Sequence, residues 1–262
     1  MVLFIILHVL KVTFLGSGTS QGVPLIGCPC KVCTSNDLND KRLRSSVYIE
    51  IEGKFFIIDT GPDFRQQMLR KNIKKLDAVI FTHSHKDHIC GFDDIRAFNY
   101  IQKKPVEVYL EEYVLDAIKR DFFYIFEEYK YPGVPEANFH IIKNEEFEIN
   151  GVKIMPIRVH HYKMPVLGFK IGNFTYITDA NSISDNEIEK IKGTEVLVLN
   201  ALRKETHISH FSLYEAIEMS KKIGAKKTYL THISHQMGLH MQINAELPDD
   251  IKLSYDGLVV EI

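Results

Sequence analysis

The sequence predicts an α/β protein of four layers, helix–sheet–sheet–helix, assembled from two similar halves. Three observations lead there. Apolar runs of strand length alternate with segments of helical spacing. The halves rhyme: IFTHSH (80–85) closes one apolar run and YLTHISH (229–235) closes another, each placing histidines just past a strand. With 45% apolar and 25% charged residues, the 262-residue chain has the composition of an ordinary globular protein, which excludes a disordered chain, a collagen or a coiled coil. No low-complexity linker or solenoid-length repeat divides it, so residues 1–262 are expected to form one domain.

Taken in order, MVLFIILHVL (1–10) reads as a first strand, with surplus residues from the choice of start site. It is only about half of the roughly 20 residues that span a bilayer. It also lacks the basic start and small-residue cleavage site of a signal peptide. No other run reaches spanning length, so a cytoplasmic location away from membranes is expected. KVTFLGSG (11–18) is a strand ending in a glycine turn. SSVYIEIEGKFFIIDTG (45–61) is a hairpin that turns at Glu52-Gly53 and leaves Asp59 at the end of a buried strand. Residues 63–75 have helical spacing, and LDAVIFTH (76–83) is a short buried strand. Helices are expected over 93–101 and 106–129, with YPGVP (131–135) as a breaker. The second half repeats the style. FEINGVKIMPIRVHHY (147–162) turns at Asn-Gly, VLGFKIGNFTYITDA (166–180) is a hairpin ending in an acid, and EVLVLNA (195–201) is a buried strand. HFSLYEAIEMSKKIG (210–224) is an amphipathic helix stopped by glycine, followed by the strand AKKTYLTHISH (225–235).

Eight of the twelve histidines fall in three clusters: His83, His85 and His88; His207 and His210; His232, His235 and His240. A protein using histidine only for packing would scatter it. The strongest signal is His83-Ser84-His85-Lys86-Asp87-His88, four ligand types in six residues leaving an apolar strand. Imidazole and carboxylate together suit zinc, manganese or iron(II). A polar loop with chance histidines is the bland alternative, and composition makes this spacing improbable. Cys28, Cys30 and Cys33 lie too close together to cross-link without strain, and clustered thiols in a cytosolic chain point to metal or redox chemistry. The fourth, Cys90, is expected as a small buried residue behind the histidine loop. GSGTSQG (16–22) has neither the Lys-Ser/Thr ending of a P-loop nor the helix that follows a dinucleotide turn, so its glycines are assigned to close backbone approach near the metals. The net charge of −2 offers no basic surplus, so nucleic acid is not an expected partner.

The H-x-H-x-D-H motif resembles that of the metallo-β-lactamase-fold hydrolases, and the resemblance runs through almost the whole chain. It implies that His83, His85 and His161 bind one metal, that Asp87, His88 and His232 bind a second, and that Asp179 bridges them. His161 is preferred to His160 because it directly precedes the turn before GFKI. Asp59 would orient a ligand histidine or the loop. The opening GSGTSQGVPLIGCPCKVC (16–33) is similar to that of the phosphoribosyl cyclic phosphodiesterase subgroup. That likeness implies a structural zinc on Cys28, Cys30, Cys33 and His235. It also implies a catalytic, non-ligand His210, with His207 as its rival; Asp87 is counted with His210 among the catalytic residues. His240 is expected at the mouth or surface, and His8 and His140 as structural. Arg96 or Arg203 could meet a substrate phosphate, though a lone arginine is more often solvated.

The reaction these likenesses imply is hydrolysis of a small phosphodiester, such as a cyclic ribose phosphate. Two zinc or manganese ions sharing a water would generate the attacking hydroxide. Three other readings compete: an RNA 3′-processing nuclease like ribonuclease Z, a thioester or lactone hydrolase of the same fold, and a metal-binding scaffold. The aromatic segment 106–129 suits core packing or a homodimer contact better than base stacking.

Overall fold

The computed structural model describes residues 9–262, so the strand read into 1–10 lies almost wholly outside the described residues. The first half comprises β1 (Lys11–Gly16), β2 (Ser46–Ile51), β3 (Lys54–Ile58), α1 (Phe64–Lys71), β4 (Ala78–Ile80), α2 (Lys86–Ile89), α3 (Arg96–Gln102), β5 (Val106–Leu110), α4 (Glu112–Asp121) and β6 (Ala137–Ile141). The second comprises β7 (Phe147–Ile149), β8 (Val152–His161), β9 (Met164–Ile171), β10 (Phe174–Ile177), β11 (Ser182–Ile183), α5 (Asp185–Ile191), β12 (Val196–Asn200), α6 (Leu213–Ile223), β13 (Lys227–Thr231), α7 (His240–Glu246) and β14 (Ile251–Leu253). The last strand, β15 (Val259–Glu261), returns to the first sheet and pairs antiparallel with β1, Val12 opposite Val260. The sheet orders are β15-β1-β2-β3-β4-β5-β6 and β11-β8-β9-β10-β12-β13-β14, with β7 on β8.

The four layers follow from the two-residue period of the strands. In the β2–β3 pair, Val47, Ile49, Phe56 and Ile58 face the core between the sheets, while Tyr48 and Ile57 face the helices outside. In β12, Val196 and Val198 face the same inner core, and Leu197 and Leu199 face the second outer layer with Ala216 and Ile223 of α6. The chain is thus mixed α/β, two packed sheets covered by helices, as its pattern predicted.

Segment 106–129 is not one helix. Val106, Val108 and Leu110 alternate into the helix-covered outer core on a strand paired parallel with β4 and β6, and the helix starts at Glu112. The dense aromatics obscured that period-2 signal; Phe122 and Ile125 turn back into the outer core. The opening glycines serve a different approach from the one expected. A Cβ on Gly16 would lie 1.9 Å from the Arg44 carbonyl oxygen, so the close neighbour is the 42–44 backbone rather than the histidines. No helix among the described residues is long and apolar enough to cross a membrane.

Candidate metal centre

The site residues sit at strand ends. Among the described residues eight non-glycine positions have positive φ, and three of them are Asp59 after β3 (65°), Asp179 after β10 (53°) and His232 after β13 (57°). Asp and His tolerate this left-handed region better than branched residues do, at a cost on the order of 1 kcal/mol each. The sharp turn swings each side chain off its strand and into the space between the halves. A fourth, Tyr162 (57°), directly follows His161. Asn200, fully buried at the end of β12, holds the Asp179 turn: its Oδ1 accepts from Ala180 N at 2.8 Å and its Nδ2 donates to Ala180 O at 2.9 Å. The sequence reading passed over Asn200, although an amide ending a wholly apolar strand was the available signal.

Asp179 stands at the centre of the cluster. It belongs to three groups whose donor atoms all lie within 4.8 Å of one another: with Asp87, His88 and His232; with His83 and His85; and with His161 and His210. Its Oδ2 is 3.2 Å from both His88 Nε2 and His232 Nδ1. Asp87 Oδ2 is 3.1 Å from the same His88 nitrogen. The His85 and His161 rings are 5.1 Å apart. His161 and His210 are 4.4 Å apart, so His210 stands within donor reach of the cluster and not merely beside it. His160 is exposed, on the strand face away from the cluster.

Hydrogen bonds behind the cluster fix which nitrogens point inward. Asp59, wholly buried, accepts from Thr82 N (2.9 Å), Thr82 Oγ1 (2.8 Å) and His88 Nδ1 (2.7 Å). With its one proton committed to Asp59, the Thr82 hydroxyl must accept from His83 Nδ1 at 2.9 Å. His161 Nδ1 donates to Ser209 O at 2.7 Å. His83, His88 and His161 are thereby held as tautomers with Nε2 free for a cation. Buried His83 Nε2, His88 Nε2, His210 Nδ1 and His232 Nδ1 make no aligned hydrogen bond, even where a carboxylate oxygen stands 3.1–3.2 Å away. Four orphaned imidazole nitrogens beside two carboxylates are a poor apolar core and a good cation cage, so the donor set fits divalent metal ions.

The buried carboxylates and imidazoles also shift one another. Burial raises Asp179, but His232 and His88 outweigh it and hold the carboxyl well below its ordinary range. Burial would lower His88, yet Asp87, Asp179 and Asp59 push it well above the usual imidazole range. Burial lowers His83, His85 and His232, and it lowers His210 to about 3.

A second cluster lies outside this one. The sulfurs of Cys28, Cys30 and Cys33 and a nitrogen of His235 lie within 4.8 Å of one another, with His235 Nδ1 3.4 Å from both Cys28 and Cys30 Sγ. Backbone N–H groups of Leu25 and Cys33 donate to Cys33 and Cys30 sulfur. The His235 contact lowers the Cys30 thiol to about 6, while burial raises Cys33 to about 11. Three sulfurs and one imidazole suit a closed tetrahedral zinc site.

Several residues lie elsewhere than expected. Cys90 is exposed, because the short α2 turns it outward. His240 is buried, not at the mouth, with Nδ1 3.1 Å from the Arg42 guanidinium and its backbone N–H on Asp40. His140 stacks on Tyr109 and pairs with Glu107. Arg96 pairs with Asp93, and the terminal nitrogens of Arg203 are engaged by Gln236 and Thr206. His207 is half-buried, 5.3 Å from His210 between ring centres. His8 lies outside the described residues.

Comparison with known proteins gives the frame. A family model described as the beta-lactamase superfamily domain matches residues 55–233. The crystal structure of a diphosphatase from the PhnP family superposes with a TM-score of 0.91 at 42% identity, covering 97% of both chains. An octanoyltransferase of Porphyromonas gingivalis is 40% identical over 252 residues; the match takes in 95% of this chain and 51% of that protein, so the chain spans about half that relative's length. A ribonuclease Z of Anoxybacillus flavithermus is 23% identical over 71% of this chain and 78% of its own. The family model spans more than half of the sequence and the diphosphatase matches almost end to end; the chain therefore belongs to the beta-lactamase superfamily and, within it, to the PhnP family.

Proposed function

We propose that this chain hydrolyses small phosphodiesters or the P–O–P anhydride of small diphosphates, with two divalent cations in the Asp179 cluster and a structural zinc on Cys28, Cys30, Cys33 and His235. The observation that carries the reading is Asp179 shared by three donor groups, ringed by buried imidazole nitrogens that lack partners. His83, His85 and His161 would hold one cation and Asp87, His88 and His232 the other, with Asp179 between them. Zinc and manganese both fit this mixed His/Asp set. When bound, such ions polarise phosphoryl oxygens and acidify water.

The remaining work falls to the chain. Hydrolysis adds a water oxygen to phosphorus and breaks one P–O bond, and the leaving oxygen takes up a proton. His210, buried and lowered to about 3, is a neutral imidazole at pH 7. It acts as an N–H donor to charge gathering on the phosphoryl group. Its place beside Asp179 and His161 supports that role. The full-length likeness to a diphosphatase favours phosphoryl over acyl chemistry. The octanoyltransferase name belongs to a protein about twice as long, and acyl chemistry is left to the assay.

The test is metal analysis with a substrate panel: bis-p-nitrophenyl phosphate, a cyclic ribose phosphate, a nucleoside diphosphate sugar, a thioester and a precursor transfer RNA. Turnover of a small phosphodiester or diphosphate, abolished in Asp179→Ala and His85→Ala, is expected. Turnover confined to the thioester or the transfer RNA overturns the proposal, as does a fully active Asp179→Ala protein.

A further inference from the structure

Arg203 is the joint between the two clusters. Its guanidinium donates through one terminal nitrogen to Gln236 Oε1 at 3.0 Å and through the other to the Thr206 carbonyl at 3.0 Å. Gln236 follows His235 of the cysteine cluster, and Thr206 lies in the loop that delivers His207 and His210. The backbone around Arg203 reinforces the joint. Ser234 N donates to Leu202 O at 2.9 Å, Leu202 N to Phe211 O at 2.9 Å, and Leu213 N to Arg203 O at 2.8 Å. Residues 202–203 are thus pinned on one side to the segment between His232 and His235, and on the other to the residues after His210. The loop's opposite face is held from the metal side, where Asn181 Nδ2 donates to Ile208 O (3.0 Å) and His161 Nδ1 to Ser209 O (2.7 Å).

We propose that Arg203 is a positioning residue that transmits the geometry of the Cys28–Cys30–Cys33–His235 cluster to His210. The cysteine cluster then does more than brace a distant loop. By fixing His235 it fixes Gln236, and through Arg203 it sets where the His210 imidazole stands over the reacting phosphoryl group. An imidazole displaced by even a fraction of an ångström loses much of its value as a donor. This inference rests on the reading of His210 given above, and its test separates the two.

The experiment uses full-length, metal-loaded protein and the variants Arg203→Met, Gln236→Ala, His210→Ala and the double variant Arg203→Met/His210→Ala. Gln236 is exposed, so removing its amide leaves the core intact. Metal content is measured first, then kcat and KM on bis-p-nitrophenyl phosphate, then hydrogen exchange of amides 204–210. Expected results are unchanged metal content, a fall of about tenfold in kcat for Arg203→Met with KM nearly constant, and a smaller fall for Gln236→Ala. The double variant should be no slower than His210→Ala alone, because Arg203 acts through His210. Losses that simply multiply in the double variant overturn the proposal, as does full kcat in Arg203→Met. If His210→Ala itself retains full activity, the reading of His210 fails. Exchange then decides for Arg203: faster exchange across 204–210 in Gln236→Ala upholds the mechanical link, and unchanged exchange ends it.

Discussion

Replacing Asp59 by asparagine is the sharpest probe of the metal centre, because it removes a charge without removing volume. Asp59 accepts three hydrogen bonds, from Thr82 N, Thr82 Oγ1 and His88 Nδ1, and is wholly buried. An asparagine has one acceptor and one donor end. With its oxygen toward Thr82 N, its NH2 faces His88 Nδ1. The imidazole must then surrender that proton and carry one on Nε2, the atom that faces Asp87 and Asp179. Coordination at Nε2 would first require losing it. Turned the other way, the NH2 meets the buried Thr82 N–H and leaves it unpaired. Either arrangement leaves a mismatched buried donor, which costs about 1–3 kcal/mol. At about 1.4 kcal/mol per decade, that corresponds to roughly a 5- to 140-fold loss of metal affinity at the His88 position, which brackets the usual scale for a carboxylate behind a ligand histidine. Chelator competition with zinc or manganese measures it, with circular dichroism to confirm the fold. Wild-type affinity in folded Asp59→Asn would refute the tautomer argument.

Three further outcomes follow from the structure. Ser212→Ala removes the reciprocal cap of α6, in which Ser212 and Glu215 bond each other's backbone N–H groups, and should cost about 0.5–2 kcal/mol by urea unfolding. His240, lowered to about 4 chiefly by burial and then by Arg42, is depressed below its unfolded value near 6.5, so the folded state resists its protonation. Stability is full above pH 6.5 and falls as pH drops toward 4, by up to about 3 kcal/mol; His240→Gln should flatten that part of the stability–pH curve, and an unchanged curve would refute it. Cys28→Ser/Cys30→Ser should lower metal content by one zinc per chain, read by elemental analysis, while the Asp179 cluster keeps its cations.

How much was legible follows from the range of the interactions involved. Strand period, the Asn150-Gly151 and Glu52-Gly53 turns and the glycine stop after α6 are local, and one stretch of residues carries each signal. The same is true of the H-x-H-x-D-H motif, whose spacing announces ligand chemistry, whereas the spacing of Cys28, Cys30 and Cys33 left metal and redox chemistry both open. The strand at 106–110 was harder, because aromatic residues suit either a helix face or a strand, and burial between β4 and β6 decides it. Family resemblance rather than spacing suggested that His161, Asp179 and His232 share a pocket, since they come from separate strands. Only the tertiary structure could assign Asn200 to the Asp179 turn, bury His240 against Arg42, turn Cys90 outward and commit Arg203 to Gln236.

The chain's own order therefore settles which atoms are available for chemistry, because identity and short spacing are written in it. Folding settles which of them meet. The left-handed turns at Asp59, Asp179 and His232, and the hydrogen bonds that fix each imidazole's free nitrogen, depend on backbone brought together from distant parts of the sequence. That convergence costs strain and desolvation which no local segment could sustain unaided.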